Sequence, residues 1–193
     1  FGIGGGISED MPHKTQENPP GAVAYGSSKI IGEQLCRMYK QSYDLDYLAL
    51  RFSTVYGENQ HNRAANALYI IETYERLVRG EPPLLFGDGS ESKDFVYVGD
   101  VARGIIMALE SDATDDAMNI SGGLSISTKE LVALITQIVG SEIEPEYIKE
   151  DGRIRLKTGE GLHYVNTKAY EVIGWRPEMP LEEGIRRLIR TLA

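Results

Sequence analysis

The chain has 193 residues, enough to bury a substantial core, and its 41% hydrophobic and 25% charged content is ordinary for a globular protein. Its net charge of −9 argues against nonspecific nucleic-acid binding, which draws on basic surface. No apolar run approaches the ~20 residues of a membrane span, no basic and apolar leader opens the chain, and the single cysteine, Cys36, has no internal disulfide partner, so a cytoplasmic location is expected.

The opening run Phe1-Gly2-Ile3-Gly4-Gly5-Gly6 is rich in glycine, but it lacks the preceding strand and following helix of a dinucleotide-binding loop. Prolines at 12, 19 and 20 follow, and the run reads as a loop. From about Ala24 to Tyr43, the residues Ile30, Ile31, Leu35, Met38 and Tyr39 recur at helical spacing. Asp46 to Val55 is a strand, and its near-continuous apolar run suits a parallel strand covered on both faces. Ala64 to Arg79 reads as a helix closed by Gly80, with Pro82 and Pro83 beyond. Gly87-Asp88-Gly89-Ser90 is a turn, Phe95 to Val98 a short strand, and Asp100 a cap for the helix that runs to about Glu110.

Ala117 to Ile120 is a further short strand, with Gly122-Gly123 as its turn. Ser127 and Glu130 form a capping box ahead of Leu131 to Val139. Glu144 to Ile148 is a strand candidate, Thr167 a cap for a short helix through Ile173, and Leu181 to Leu192 a final amphipathic helix. Strands alternating with helices predict an α/β fold. His13, His61 and His163 are far apart and show no metal-ligand spacing, so no metal site is expected.

The stretch with the most chemistry is Tyr25-Gly26-Ser27-Ser28-Lys29. On a helix, the i,i+4 spacing puts the phenol and the ammonium on one face. A tyrosine titrates near ~10, and a neighbouring cation favours the phenolate, giving a group that takes and returns protons. The small residues between them leave room for a flat ring. Tyr-x-x-x-Lys alone is a weak motif, and a second instance at Tyr164 and Lys168 is read as chance.

Context adds specificity. Ser8-Glu9-Asp10, Glu17-Asn18-Pro19-Pro20 and Tyr25 to Lys29 with Glu33 resemble the extended short-chain dehydrogenase/reductase family, in its sugar-nucleotide epimerase/dehydratase branch. So do Leu50-Arg51-Phe52-Ser53-Thr54-Val55-Tyr56-Gly57, the block from Gly87 through Lys93-Asp94-Phe95-Val96-Tyr97-Val98-Gly99-Asp100, and Gly174-Trp175-Arg176-Pro177 with Leu181 to Gly184.

The resemblance implies the C-terminal part of a doubly wound parallel (Rossmann-type) sheet plus a smaller mixed α/β substrate-binding lobe. Residues 1–60 and 95–125 would belong to the first, 61–94 and 126–193 to the second. It further implies NAD as cofactor, with Tyr25 as acid/base and Lys29 holding the nicotinamide ribose; Phe52 and Ser53 would join them at the cofactor. Thr54, Asn66, Lys93 and Lys157 would contact a nucleotide-sugar substrate. Thr54 stands where many members carry asparagine, and Lys93 where they carry a phosphate-binding arginine; Lys157-Thr158-Gly159-Glu160 looks like a degenerate Arg-Pro-Gly-Asp block.

The family's glycine fingerprint and its catalytic serine or threonine would precede Phe1, so the chain reads as the C-terminal half to two-thirds of an enzyme. A homodimer, or association with an N-terminal segment, is expected to cover the sheet. The implied activity is UDP-glucose 4-epimerase-like, through a transient keto-sugar. A nucleotide-sugar 4,6-dehydratase is the alternative within the class, and a non-catalytic binding module the alternative outside it.

Overall fold

The computed structural model describes residues 6–12, 20–60, 68–149 and 163–192. In chain order the elements are α1 (Pro20–Tyr43), β1 (Leu48–Phe52), β2 (Thr54–Tyr56), α2 (Leu68–Val78), β3 (Leu84–Phe86), β4 (Ser92–Tyr97) and α3 (Val98–Glu110). There follow β5 (Asp116–Ile120), β6 (Ser125–Ser127), α4 (Thr128–Val139), β7 (Glu146–Ile148), α5 (Thr167–Ile173) and α6 (Leu181–Arg190). The expected α/β class is observed.

Among the described residues, three small sheets carry the strands. β1 and β5 run parallel, from Leu48 opposite Asp116 to Phe52 opposite Ile120. β4 is the centre of the second sheet, parallel to β2 and antiparallel to β6. β3 and β7 form a parallel pair. The expected strand from Asp46 to Val55 is interrupted at Ser53, whose N–H turns to the carbonyl of Ile120 at 3.2 Å. That break lets one run of sequence serve two sheets.

Two apolar clusters fill the interior formed by the described residues. One gathers Val96, Val101, Met118, Ile120, Ala169, Ile173 and Trp175 beneath the β1–β5 pair. The other packs Tyr56, Phe95, α2, α4 and α6 around Ile70, Ile71, Leu131, Ile135, Ile185 and Leu188. Burial of such side chains, each contributing about 1.5–3 kcal/mol, is the main stabilising force. The capping box at the start of α4 forms as the sequence predicts, Ser127 and Glu130 each accepting the other's backbone N–H. Gly140 and Gly174 close α4 and α5 in left-handed conformation, at φ 72° and 70°.

Several boundaries differ from expectation for identifiable reasons. Pro20 opens α1 instead of ending a loop, since a first-turn residue needs no N–H. β3 and β6 are three-residue strands whose pairing comes from distant partners, and the prolines and glycines beside them read as turn. Asp100 does not cap α3; the helix begins at Val98, and Tyr97 is the N-cap. Its buried carboxylate instead accepts from Glu178 N–H at 3.0 Å, Met179 N–H at 2.9 Å and Arg103 Nη2 at 2.8 Å. Thr167 likewise is the first residue of α5, and Asn166 occupies the cap position. No helix among the described residues is long and apolar enough to cross a membrane.

Candidate active site

Tyr25 and Lys29 both lie on α1, and the i,i+4 spacing does bring them together: Lys29 Nζ stands 5.1 Å from the centre of the Tyr25 ring. The Tyr25 ring is 65% exposed. Gly26, one residue on, faces open space, with no atom within 4 Å of where a β-carbon would stand. A planar group can therefore approach this stretch of helix. The second Tyr-x-x-x-Lys lacks this geometry. Tyr164 precedes α5 and pairs with Ile7 in an isolated parallel bridge, while Lys168 forms an ion pair with Asp116 at 2.5 Å.

Phe52 and Ser53 lie at the carboxyl end of β1, where parallel α/β sheets bind ligands. Phe52 is 44% exposed. The Ser53 hydroxyl oxygen is buried and makes no geometrically formed hydrogen bond, although it faces the carboxylate of Asp94. Thr54 begins β2 opposite Phe95. Lys93 is half-buried on β4 and forms a loose ion pair, 3.7 Å, with Glu91. The two border a shallow cleft with Tyr69, Phe95, Ile126 and Thr128. Asn66 and Lys157 lie outside the described residues.

Asp94 connects these two regions, and the sequence did not single it out. Its carboxylate is buried and accepts from Gly122 N–H at 2.7 Å, Gly123 N–H at 3.1 Å and Tyr164 N–H at 3.2 Å. Burial pushes its pKa up, while these donors and Ser53 pull the other way. Gly122 must be glycine, because a β-carbon there would collide with the carbonyl oxygen of Phe95. Asn166 continues the scaffold, exchanging hydrogen bonds with the backbone of Ser121 at 3.1 and 2.8 Å. The adjacent glycines were the only sequence signal for this arrangement; its partners lie 28 to 70 residues from Asp94.

On α1 below the Tyr25–Lys29 pair, Glu33 takes a two-pronged ion pair from Arg51 of β1, with Nε and Nη2 each at 2.7 Å. Arg51 Nη1 also donates to the carbonyl of Glu9 at 3.0 Å, and Glu9 Oε1 accepts from the N–H of Asn119 in β5 at 2.7 Å. Glu33 raises the Arg51 pKa further above its ordinary value. No cluster of metal-ligating side chains occurs among the described residues.

Residues 4–121 match the NAD dependent epimerase/dehydratase family. Over 166 residues the chain is 36% identical to a putative UDP-glucose 4-epimerase of Methanocaldococcus jannaschii, covering 86% of this chain and 52% of that protein. It is 35% identical over 182 residues to the UDP-glucose 4-epimerase of Mycolicibacterium smegmatis, covering 94% and 55% respectively. Among solved structures, the UDP-glucose 4-epimerase of Thermotoga maritima with UDP-glucose superposes with a TM-score of 0.77 at 31% identity, over 87% of this chain and 52% of that one. The chain thus spans about half the length of the relatives it matches. The sequence blocks, the parallel strand pair and the Tyr25–Lys29 geometry converge with these likenesses: the chain belongs to the NAD-dependent epimerase/dehydratase family.

Proposed function

We propose that this chain supplies the acid/base pair and the substrate-facing part of a nucleotide-sugar 4-epimerase of the UDP-glucose type. The observation that carries this reading is the Tyr25–Lys29 pair, side by side on an open stretch of α1 in a chain of this family. The residues present fit one end of NAD: the Lys29 ammonium beside the Tyr25 ring, the accessible phenol and the exposed Phe52 ring suit a ribose and a flat ring, with the buried Ser53 hydroxyl behind them facing Asp94. When bound, NAD supplies the acceptor and donor of hydride at the sugar carbon. Tyr25 Oη would take the proton of the sugar hydroxyl as that carbon is oxidised and would return it to the same oxygen after the keto-sugar has presented its other face to the hydride donor. Lys29 would hold positive charge beside the phenol, favouring the phenolate that accepts the proton in the first transfer and is regenerated by the second.

Substrate binding is assigned to Thr54 and Lys93, and to Asn66 and Lys157. A lysine gives a diphosphate a point charge without the planar fork of arginine, so affinity from Lys93 depends on charge more than on geometry. Residues 1–60 with 95–125 are assigned to the cofactor side, and 61–94 with 126–193 to the substrate side. The two apolar clusters cross that division: α5 and Trp175 pack against the cofactor-side strands, and Tyr56 and Phe95 join the cluster of α2, α4 and α6. The apolar stripe of α1, with Ile31 58% and Leu35 47% exposed, supports burial of this helix in a homodimer or against the portion of the relatives' length that this chain does not span.

Calorimetric titration with NAD, repeated with UDP-glucose present, tests the reading. Binding of UDP-glucose that weakens about tenfold in Lys93→Ala, the loss of one charge-assisted contact, is the expected result. Silence toward both ligands would overturn it. A 4,6-dehydratase remains within the same family description, and product analysis after reconstitution separates it: the epimer in one case, a 4-keto-6-deoxy sugar in the other.

A further inference from the structure

We propose that Arg51 is a positioning residue for the Tyr25–Lys29 pair, acting through Glu33. The inference rests on reading that pair as the proton-handling group, and it concerns how the pair is held in place.

No residue of α1 is buried, and its apolar positions Ile31, Leu35 and Met38 are 58%, 47% and 46% exposed. Packing against the described residues therefore does little to fix the helix's rotation or slide. Polar contacts do that work instead. Among the described residues, one is Lys40 near the helix end, with Asp46 at 2.5 Å, Asp44 at 2.9 Å and, more loosely, Asp115 at 3.5 Å, carboxylates that are 67%, 92% and 36% exposed. Solvent-exposed pairs of this kind hold little. The other is Arg51–Glu33, whose side chains are only 24% and 19% exposed.

The geometry of that second contact is directional. Two parallel N–H···O bonds from a planar guanidinium specify angle as well as distance, which a single ammonium cannot do. Glu33 follows Lys29 by four residues and Tyr25 by eight, so all three share one face of the helix. Its anchor is itself fixed. Arg51 sits opposite Asn119 in the β1–β5 register, and Glu9 bonds to both, its carbonyl to Arg51 and its carboxylate to the Asn119 N–H. The orientation of β1 is thereby passed through one guanidinium to the helix that carries the phenol and the ammonium.

The test is fluorine NMR of the full chain labelled with 3-fluorotyrosine, in which the Tyr25 resonance is assigned by its loss in Tyr25→Phe. Arg51→Met and Glu33→Gln are each expected to shift or broaden that resonance, with the double variant adding nothing to the larger effect. Arg51→Lys should restore it only part of the way. Lys40→Met should move Tyr43 and leave Tyr25 alone. Amide exchange over residues 22–33 should quicken about tenfold in Arg51→Met, while residues 128–139 stay as they were. A Tyr25 resonance unmoved in both Arg51→Met and Glu33→Gln would overturn the proposal. So would a uniform shift of all tyrosines, which would mark Arg51 as general support for the fold. If Arg51→Met does not fold, Glu33→Gln and the reversed pair Glu33→Arg with Arg51→Glu decide the matter, restoration of the Tyr25 signal by the reversal supporting it. None of these readouts requires turnover, so a failed NAD or UDP-glucose titration would count against the proposed reaction alone.

Discussion

Replacing Asp100 tests the most heavily bonded carboxylate in the molecule's C-terminal closure. Asp100→Ala removes the acceptor of two backbone N–H groups, those of Glu178 and Met179, and of Arg103 Nη2. Each orphaned backbone donor costs about 1 kcal/mol at the low end, since water can reach part of this loop. The guanidinium loses about 1 kcal/mol more, tempered because Arg103 keeps the Arg176 carbonyl at 2.6 Å. The sum is a loss of about 3 kcal/mol. The assay is built in: Trp175 is the chain's single tryptophan, fully buried, and its indole N–H donates to the Asp100 carbonyl at 2.9 Å. Urea unfolding followed by tryptophan fluorescence should show the midpoint falling by about 1.5 M, for a slope of about 2 kcal/mol/M. Asp100→Ser discriminates between roles. Serine caps helices about as well as aspartate, so a capping role would leave it near wild type. The contacts described here require most of the loss to persist, because a hydroxyl is too short to span to residues 178–179. A serine variant within about 0.3 M of wild type would refute the reasoning.

Gly184→Ala should destabilise by about 2 kcal/mol, because the added β-carbon collides with the buried Tyr56 hydroxyl; the gain of about 1 kcal/mol in helix propensity is smaller. A urea midpoint equal to or above wild type would contradict the packing of α6 on β2. A pH effect is expected at Glu58, which accepts from the Tyr97 hydroxyl at 2.8 and 2.6 Å and is thereby held below the usual glutamate range. A depressed carboxyl stabilises the fold above its unfolded pKa of about 4.3 and loses that contribution as pH falls through the folded value. Tyr97→Phe should therefore flatten the decline of stability between about pH 5 and pH 3. Parallel curves for the two proteins, from urea midpoints across that range, would show that the contact has no such linkage.

What the sequence made legible was local. The capping box of α4, the glycine that closes α2 at position 80, and the 3.6-residue period of α1 each rest on residues within a few positions of one another. The Tyr25–Lys29 pairing was readable for the same reason. Periodicity did not reveal whether an apolar stripe is covered: four of the five residues that mark α1 as a helix, Ile31, Leu35, Met38 and Tyr39, are left exposed. Nor did local signals reveal Asp94 or the Glu33–Arg51 pair, because a carboxylate gathering donors 28 to 70 residues away exists only once strands have crossed. The short strands β3 and β6 were hidden likewise, each flanked by residues that in isolation read as turn. Asp100 shows the converse error. Its place near a helix start suggested a cap, and the chain's far end supplied it with better partners.

The strand β4 has a consequence for how the molecule comes apart. Phe95 and Val96 are consecutive, yet one belongs to the cluster of α2, α4 and α6 and the other to the cluster beneath β1 and β5. The strand is a party wall, with one room's furniture fixed to each side. A slip of one residue would turn every such side chain into the wrong room, so two interiors rather than one police its register. The wall also cannot be demolished from one side alone. Loss of either interior strips a face of β4 that the other still needs, and both should therefore melt in a single transition, with no long-lived half-folded species for a protease to trim.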